Sequence, residues 1–303
     1  MHIPDGFLST PVWAALNAVS IPAVGCLARR AQSHVHESRI PLLGVMGAFV
    51  FAAQMINFPV GLGTSGHLVG SALLTYVLGP AAAAVVMTAI LAVQALVFQD
   101  GGILALGANV FNMALIGVLA AWIPYRFLGA GGWRKAAIFL GGFLSVTAGA
   151  ALALSQLVLS GVAMPPRIAG LTLSVFAAAA VLEGIITVAV TGAIEAINPG
   201  WIQNAAAAPR KVLGTLAAAA VFLAAVGVLF ASAHPDGLER VAGETGIAGR
   251  AHKLIVTPLL DYEWSAFQGE WARKASAGTA GILAVALVCL LAGRIIARRR
   301  RSA

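Results

Sequence analysis

The sequence predicts an all-α polytopic membrane protein, a seven-helix unit followed by two further transmembrane helices. Three observations carry the prediction. Of the 303 residues, 60% are hydrophobic and 10% charged, against roughly 25% charged in a soluble domain. That leaves too little polar surface to cover a water-soluble globule. The apolar residues fall in unalternated runs about twice as long as the roughly ten-residue strands of a transmembrane barrel. Nine such runs lie near the length a bilayer demands. A solenoid, a disordered regulator and a disulfide scaffold are excluded on the same composition.

The runs cover about 7–28, 40–60, 66–80, 81–98, 103–125, 136–160, 168–194, 212–232 and 277–297. The third and fourth share a Gly79-Pro80 break, which allows one kinked element. The first has the length of a signal peptide. Nothing basic precedes it, however, and Met1-His2-Ile3-Pro4-Asp5-Gly6 is a turn, so it is expected to be retained. A break in Asn198-Pro199-Gly200 and Pro209-Arg210-Lys211 divides the chain into residues 1–200 and 201–303. The last two spans flank a charged outer loop, 233–276. Gly44 with Gly47, and Gly141 with Gly142, read as sites of close helix packing. Cys26 and Cys289 lie inside apolar runs and read as small hydrophobes.

The net charge of +8 suggests a nucleic-acid partner only until the charges are placed. Arg298 to Arg301 directly follow an apolar run, which is membrane-flank chemistry. With the N-terminus outside, the inner loops and the tail hold 13 of the 19 Lys and Arg residues. Five of the other six lie in the long outer loop, where the positive-inside bias is weaker. The N-terminus is therefore expected outside and the C-terminus in the cytoplasm, with membrane lipid and no nucleic acid as a partner.

Two features carry chemistry, and both fall on the outer side. A chain beginning Met1-His2 presents an α-amine, an amide nitrogen and an imidazole within one residue. Together these close adjacent five- and six-membered chelate rings, and planar nitrogen sites suit Ni(II) and Cu(II). A fourth donor is needed. The second feature is Gly61-Leu62-Gly63-Thr64-Ser65-Gly66-His67, opening the third span. A histidine at membrane depth is functional by default, and glycines let a loop approach another segment closely. His67 is either that fourth nitrogen or a headgroup-level histidine bonded to a carbonyl. Gln99-Asp100-Gly101-Gly102 forms an outer turn, followed by Asn109 and Asn112; Gln54 and Asn57 lie in the second span. Such groups near lipid must find partners within the bundle. They either orient metal ligands or bond helices together. His34, His36 and Glu37 read as a solvated loop. Glu183 stands alone near mid-span, with no role assigned.

Met1-His2-Ile3-Pro4-Asp5-Gly6-Phe7-Leu8, Gly63-Thr64-Ser65-Gly66-His67-Leu68 and Gln99-Asp100-Gly101-Gly102 resemble the substrate-capture component of nickel and cobalt energy-coupling factor transporters (the NikM/CbiM family). His234-Pro235-Asp236-Gly237-Leu238-Glu239 is similar to the Pro-Asp-Gly-Leu-Glu motif of the two-span accessory component (NikN/CbiN). The seven-plus-two division fits a fusion of the two. The resemblance implies a seven-helix capture unit at 1–200 and an accessory part at 201–303. It implies metal held by the Met1 amine, the His2 amide and imidazole, and His67. Asn57, Thr64, Ser65, Asp100 and Asn109 are the residues expected around these ligands. It further implies a separate transmembrane coupling protein (NikQ/CbiQ type) and cytoplasmic ATPases (NikO/CbiO type) in a bacterial inner membrane, with no permanent cofactor. The acids Asp5, Asp100, Asp236, Glu239, Glu244, Asp261, Glu263 and Glu270 all fall outside, where they raise the local cation concentration.

Ligand order favours Ni²⁺ over Co²⁺, and the Pro4-Asp5 form and the fusion resemble nickel members. Co²⁺ uptake, supplying cobalamin synthesis, is the alternative cargo. Two other function classes use the same residues. Gly63-Thr64-Ser65-Gly66 spells the Gly-x-Ser-Gly of an intramembrane serine protease, yet that chemistry needs a base within reach of the serine. His67 points elsewhere on a helix, and the later His234 and His252 lie in the outer loop. A secondary transporter would carry several midplane ionisable residues, and only Glu183 qualifies. The expectation is a transport component, not an enzyme.

Overall fold

The computed structural model describes all residues except His34, Leu62, Gly200, Trp201, 203–208, Ser302 and Ala303. The expected boundary at 200/201 and the loop histidine His34 therefore lie outside the described residues.

The chain is helical nearly throughout. The elements are α1 (Thr10–Ala31), α2 (Ile40–Gln54), β1 (Phe58–Gly61), β2 (Thr64–Gly66), α3 (Ser71–Leu78) and α4 (Pro80–Phe98), then α5 (Leu106–Leu128), α6 (Arg134–Leu159), α7 (Pro166–Ile197), α8 (Arg210–Leu229), α9 (Gly237–Glu244) and α10 (Glu270–Arg301). Prolines open α1, α2, α4 and α7. In a first turn proline costs little, because its missing N–H would have had no intrahelical acceptor. Seven helices among the described residues are long and apolar enough to cross a membrane: α1, α4, α5, α6, α7, α8 and α10. Their outward side chains are apolar, with Ile21, Phe222, Leu283 and Leu287 all exposed. Water would penalise such a surface and lipid does not. The protein is a multi-pass membrane protein.

Two expected spans are shorter than their apolar runs. The run 40–60 ends as helix at Gln54, because Phe58–Gly61 turns back on Thr64–Gly66 as an antiparallel hairpin. The run 66–80 contains only the eight residues of α3. Gly70 (φ +79°) and Gly79 (φ +83°) bracket it in a backbone region that favours glycine. At 1.5 Å per residue, α3 is about 12 Å long, too short to cross a bilayer. The non-helical backbone before it is covered by protein; Leu68, Val69 and Gly70 are all buried. His67 correspondingly lies on extended chain between β2 and α3, and does not open a helix.

Small residues set the closest approaches. A Cβ on Gly142 of α6 would stand 2.9 Å from Gly184 Cα on α7. A Cβ on Gly47 of α2 would stand 2.7 Å from Cys289 Sγ on α10, so α10 and α8 pack together against α2. Cys26 and Cys289 are both free, and Cys289 is buried. The salt bridge from Arg134 to Glu195, Nη2 to Oε1 at 2.5 Å, joins the ends of α6 and α7.

Gly142→Val forces α6 and α7 apart. It is expected to destabilise the protein by about 1–3 kcal/mol, read as a lower Tm in detergent. Gly25→Ala, where an added Cβ meets nothing within 4 Å, should not lower Tm.

Candidate metal centre

Four segments meet at one end of the bundle: the N-terminus, the β1–β2 hairpin with His67, the turn at 99–105, and the loop after α8. The N-terminal segment is pinned first. The Asp5 carboxylate accepts the backbone N–H groups of Ile103, Leu104 and Ala105, at 2.9, 2.8 and 3.1 Å. Asn109 clamps the Ile3 backbone from both sides: Ile3 N donates to Asn109 Oδ1 at 2.8 Å, and Asn109 Nδ2 donates to Ile3 O at 3.1 Å. Gly102 N also donates to Ile3 O, at 2.8 Å. A Cβ on Gly102 would collide with Asp5, so glycine there is what lets the two strands of chain touch. The Met1 side chain packs toward Gly149 of α6.

This pinning brings four polar groups together. The Met1 α-amine lies 2.8 Å from His67 Nε2 and donates to Asp236 Oδ2 at 2.6 Å. The His2 and His67 rings stack, with centroids 5.3 Å apart and planes 19° apart. His67 Nδ1 bonds Leu68 O at 3.0 Å, which leaves its Nε2 lone pair for the amine. Both ring nitrogens of His2 are buried and lack a hydrogen-bond partner among the described residues. Its Nε2 lies 3.8 Å from Asp100 Oδ2, beyond hydrogen-bond reach. Buried polar atoms are rarely left unpartnered, and a bound cation is one thing that satisfies them.

The electrostatics favour neutral imidazoles. Burial pushes His2 below its ordinary pKa. Burial, the N-terminal amine and His2 push His67 down to about 3. Burial alone would raise Asp236, but the N-terminal ammonium outweighs it and holds the carboxyl well below its usual range. Asp100 is likewise brought down, against its burial, by His2 and by the Tyr262 hydroxyl, which donates to it at 2.6 Å. Deprotonated nitrogens are what a metal ligand set requires. Among the described residues no three His, Cys, Asp or Glu side chains form a metal-holding group, so main-chain nitrogens must complete any such site.

The structure thus brings Met1, His2 and His67 together, with Asp100 and Asn109 beside them. Thr64 and Ser65 stand one step away. Arg240 Nη1 donates to Thr64 Oγ1 at 2.8 Å, and Ser65 Oγ donates to the His234 carbonyl at 2.7 Å. Ser65 Oγ is thereby spent on a main-chain carbonyl and not on a histidine ring. The Asn57 main-chain carbonyl accepts from Ser232 N at 2.7 Å.

The residues 2–201 match the family model described as "Cobalt uptake substrate-specific transmembrane region" (CbiM), and 210–298 match a PDGLE domain. The chain belongs to the CbiM family. A relative from Archaeoglobus fulgidus, "Putative fused nickel transport protein NikMN", is 36% identical over 257 residues, covering 82% of this chain and 83% of that one. "Cobalt transport protein CbiM" of Acetoanaerobium sticklandii is 36% identical over 148 residues, covering 48% of this chain and 61% of that one. A crystal structure of a truncated transition metal transporter superposes with a TM-score of 0.58 at 31% identity, covering 65% of this chain and 99% of that one. Like these CbiM-type relatives, the chain is a transport component and not an enzyme.

Sequence reasoning missed three partners. Asp5 and Asp236 stood in the quoted motifs and in the outer acidic field, but neither was read as a partner of the N-terminal segment; Asp236 pairs with the Met1 amine and Asp5 pins the chain behind it. Tyr262 gave no signal. The motif Pro235-Asp236-Gly237 could have singled out Asp236, since it marks a capping box: Asp236 Oδ1 accepts from Leu238 N and Glu239 N at the start of α9.

Asp5→Ala removes the acceptor of three N–H groups. The amides of Ile103, Leu104 and Ala105 should then exchange with deuterium faster than in the native chain, while those of α6 keep their native rates.

Proposed function

We propose that this chain captures Ni²⁺ as the substrate-specific component of an ATP-driven energy-coupling factor transporter. The observation that carries the reading is the 2.8 Å between the Met1 amine and His67 Nε2. Two cis donors of a square plane with metal–nitrogen bonds of about 2.0 Å lie about 2.8 Å apart. The Met1 amine, the His2 amide and the His2 imidazole take three positions, and His67 takes the fourth, beside the amine. The orphaned His2 ring nitrogens supply the remaining donor without breaking a hydrogen bond.

Charge balance supports the same reading. Without cargo, one positive charge, the N-terminal ammonium, faces Asp236. With Ni²⁺ bound to a neutral amine and a deprotonated amide, the net charge at that point is again one positive. Asp236 therefore faces one positive charge in both states. Asn109 holds the Ile3 backbone and Asp100 places a negative charge beside the His2 ring, with Thr64 and Ser65 holding the hairpin to the accessory part.

Residues 1–200 form the capture unit and 201–303 the accessory part, a division that the two family-model matches support. The N-terminus and the metal centre face outside a bacterial inner membrane, and the C-terminus lies in the cytoplasm. The chain carries no Gly-x-x-x-x-Gly-Lys-Ser/Thr loop. The work of inward release comes from cytoplasmic ATPases of the NikO/CbiO type acting through a NikQ/CbiQ-type coupling protein. Co²⁺ is the second cargo reading, favoured by the cobalt-named relatives; a planar nitrogen set with a deprotonated amide suits nickel better.

Isothermal titration of the full chain in detergent should show about one Ni²⁺ per chain, bound more tightly than Co²⁺. His67→Ala should lose most of that affinity. Binding releases protons from the amine and the amide, so affinity should fall as the pH is lowered. Equal affinity in the His67→Ala variant would contradict the reading.

A further inference from the structure

The Glu183 carboxylate is buried at the middle of α7, and neither carboxylates nor cations are placed there lightly. Its partners are two backbone amides: Val69 N donates to Oε2 at 2.7 Å, and Gly70 N donates to Oε1 at 2.8 Å. Among the described residues its carboxylate makes no ion pair. Those two amides belong to the buried bend between His67 and α3. The positive end of a helix draws an anion, and the orphan N–H groups there need acceptors where water is absent. On the other side of the bend, Gln54 Nε2 donates to Val69 O at 2.7 Å, and Gln94 Nε2 donates to Gln54 Oε1 at 2.8 Å. The main chain two residues beyond His67 is thus gripped from both sides. Gly70 leaves no slack in it, since a Cβ there would collide with Val50.

We infer that Glu183 is a positioning residue for metal capture: by holding Val69 N and Gly70 N, it fixes the His67 imidazole with Nε2 toward the Met1 amine. The inference rests on the proposed function. Glu183 never touches the cargo. It sits beside Gly184, where α7 lies against Phe139 and Gly142 of α6, so the grip on His67 is referred to a closely packed helix pair. A glutamine at this position offers one acceptor oxygen and turns its NH₂ toward the second backbone N–H. One bond is lost and two donors face each other. An aspartate keeps both acceptors but reaches less far.

The test is Ni²⁺ titration of the full chain in detergent, with four variants beside the native protein: Glu183→Gln, Glu183→Asp, His67→Ala, and Glu183→Gln combined with His67→Ala. Loss of an outer hydrogen-bonding partner of a ligand typically costs 10- to 100-fold in affinity. Glu183→Gln should therefore weaken binding by about that factor, and Glu183→Asp by less. In the His67→Ala background Glu183→Gln should cost nothing further, because the ligand it positions is already gone. A merely structural role would weaken both backgrounds alike and would overturn the inference. So would native affinity in Glu183→Gln. Should Glu183→Gln fail to fold, Glu183→Asp decides, and native affinity there overturns the inference. Failure of the metal site itself would appear separately, as unchanged affinity in His67→Ala alone.

Discussion

The α-amine of Met1 is buried between an imidazole and a carboxylate, 2.8 Å from His67 Nε2 and 2.6 Å from Asp236 Oδ2. Burying a charge is costly unless it is paired and hydrogen-bonded, so the surrounding chain has to deliver both partners to one point. Three segments far apart in sequence do this. Asp5 and Asn109 peg the N-terminal strand to the turn at 99–105, the β1–β2 hairpin presents His67, and the start of α9 presents Asp236. The isolated bridge between Ser65 and Asp236 ties the last two to each other. Shifting the N-terminal segment by one residue would move the amine by about 3 Å, more than the length of the contacts it makes.

The membrane adds a second constraint. A chain that must bring a histidine to this point cannot run as an unbroken helix from α2 to α4. It instead uses a hairpin, a stretch of extended chain and the short helix α3. Lipid would not tolerate the resulting unpaired amides, so polar side chains from neighbouring helices take them up. Glu183 serves the start of α3, and the linked Gln54 and Gln94 serve Val69 O. Asn112 and Gln156 exchange both amide hydrogen bonds, at 2.9 and 2.7 Å, and join α5 to α6. Gln54, Gln94 and Glu183 thus keep the irregular backbone at Val69 and Gly70 satisfied, whereas Asn112 and Gln156 bond helix to helix. Gln94 and Asn112 lie in the π-helical turns Gln94–Phe98 and Val110–Ile116.

Hydropathy made the long helices legible, because lipid demands about twenty apolar residues from each. It failed where the backbone bends without becoming polar. Phe58, Pro59 and Val60 are apolar yet lie in the hairpin, and Leu68 and Val69 are apolar yet precede α3. No apolar count separates such residues from a helix. Met1, His2 and His67 stood out because their chemistry depends on position and on rarity in a membrane, and both can be read in one dimension. Asp236 did not stand out as a partner of the amine, since no periodicity links residues 1 and 236. The role of Glu183 was hidden for a different reason. Its partners are main-chain amides, which every residue type carries, so no pattern of side chains announces them.

The most direct test of the account changes the chelate rings and little else. One alanine is inserted between Met1 and His2, and the full chain is titrated with Ni²⁺ beside the native protein. The insertion leaves composition and hydropathy nearly untouched. It separates the amine from the amide and imidazole that it must join. The account predicts about one Ni²⁺ bound by the native chain and most of the affinity lost in the insertion variant. Native affinity in that variant would place the metal elsewhere and contradict the account.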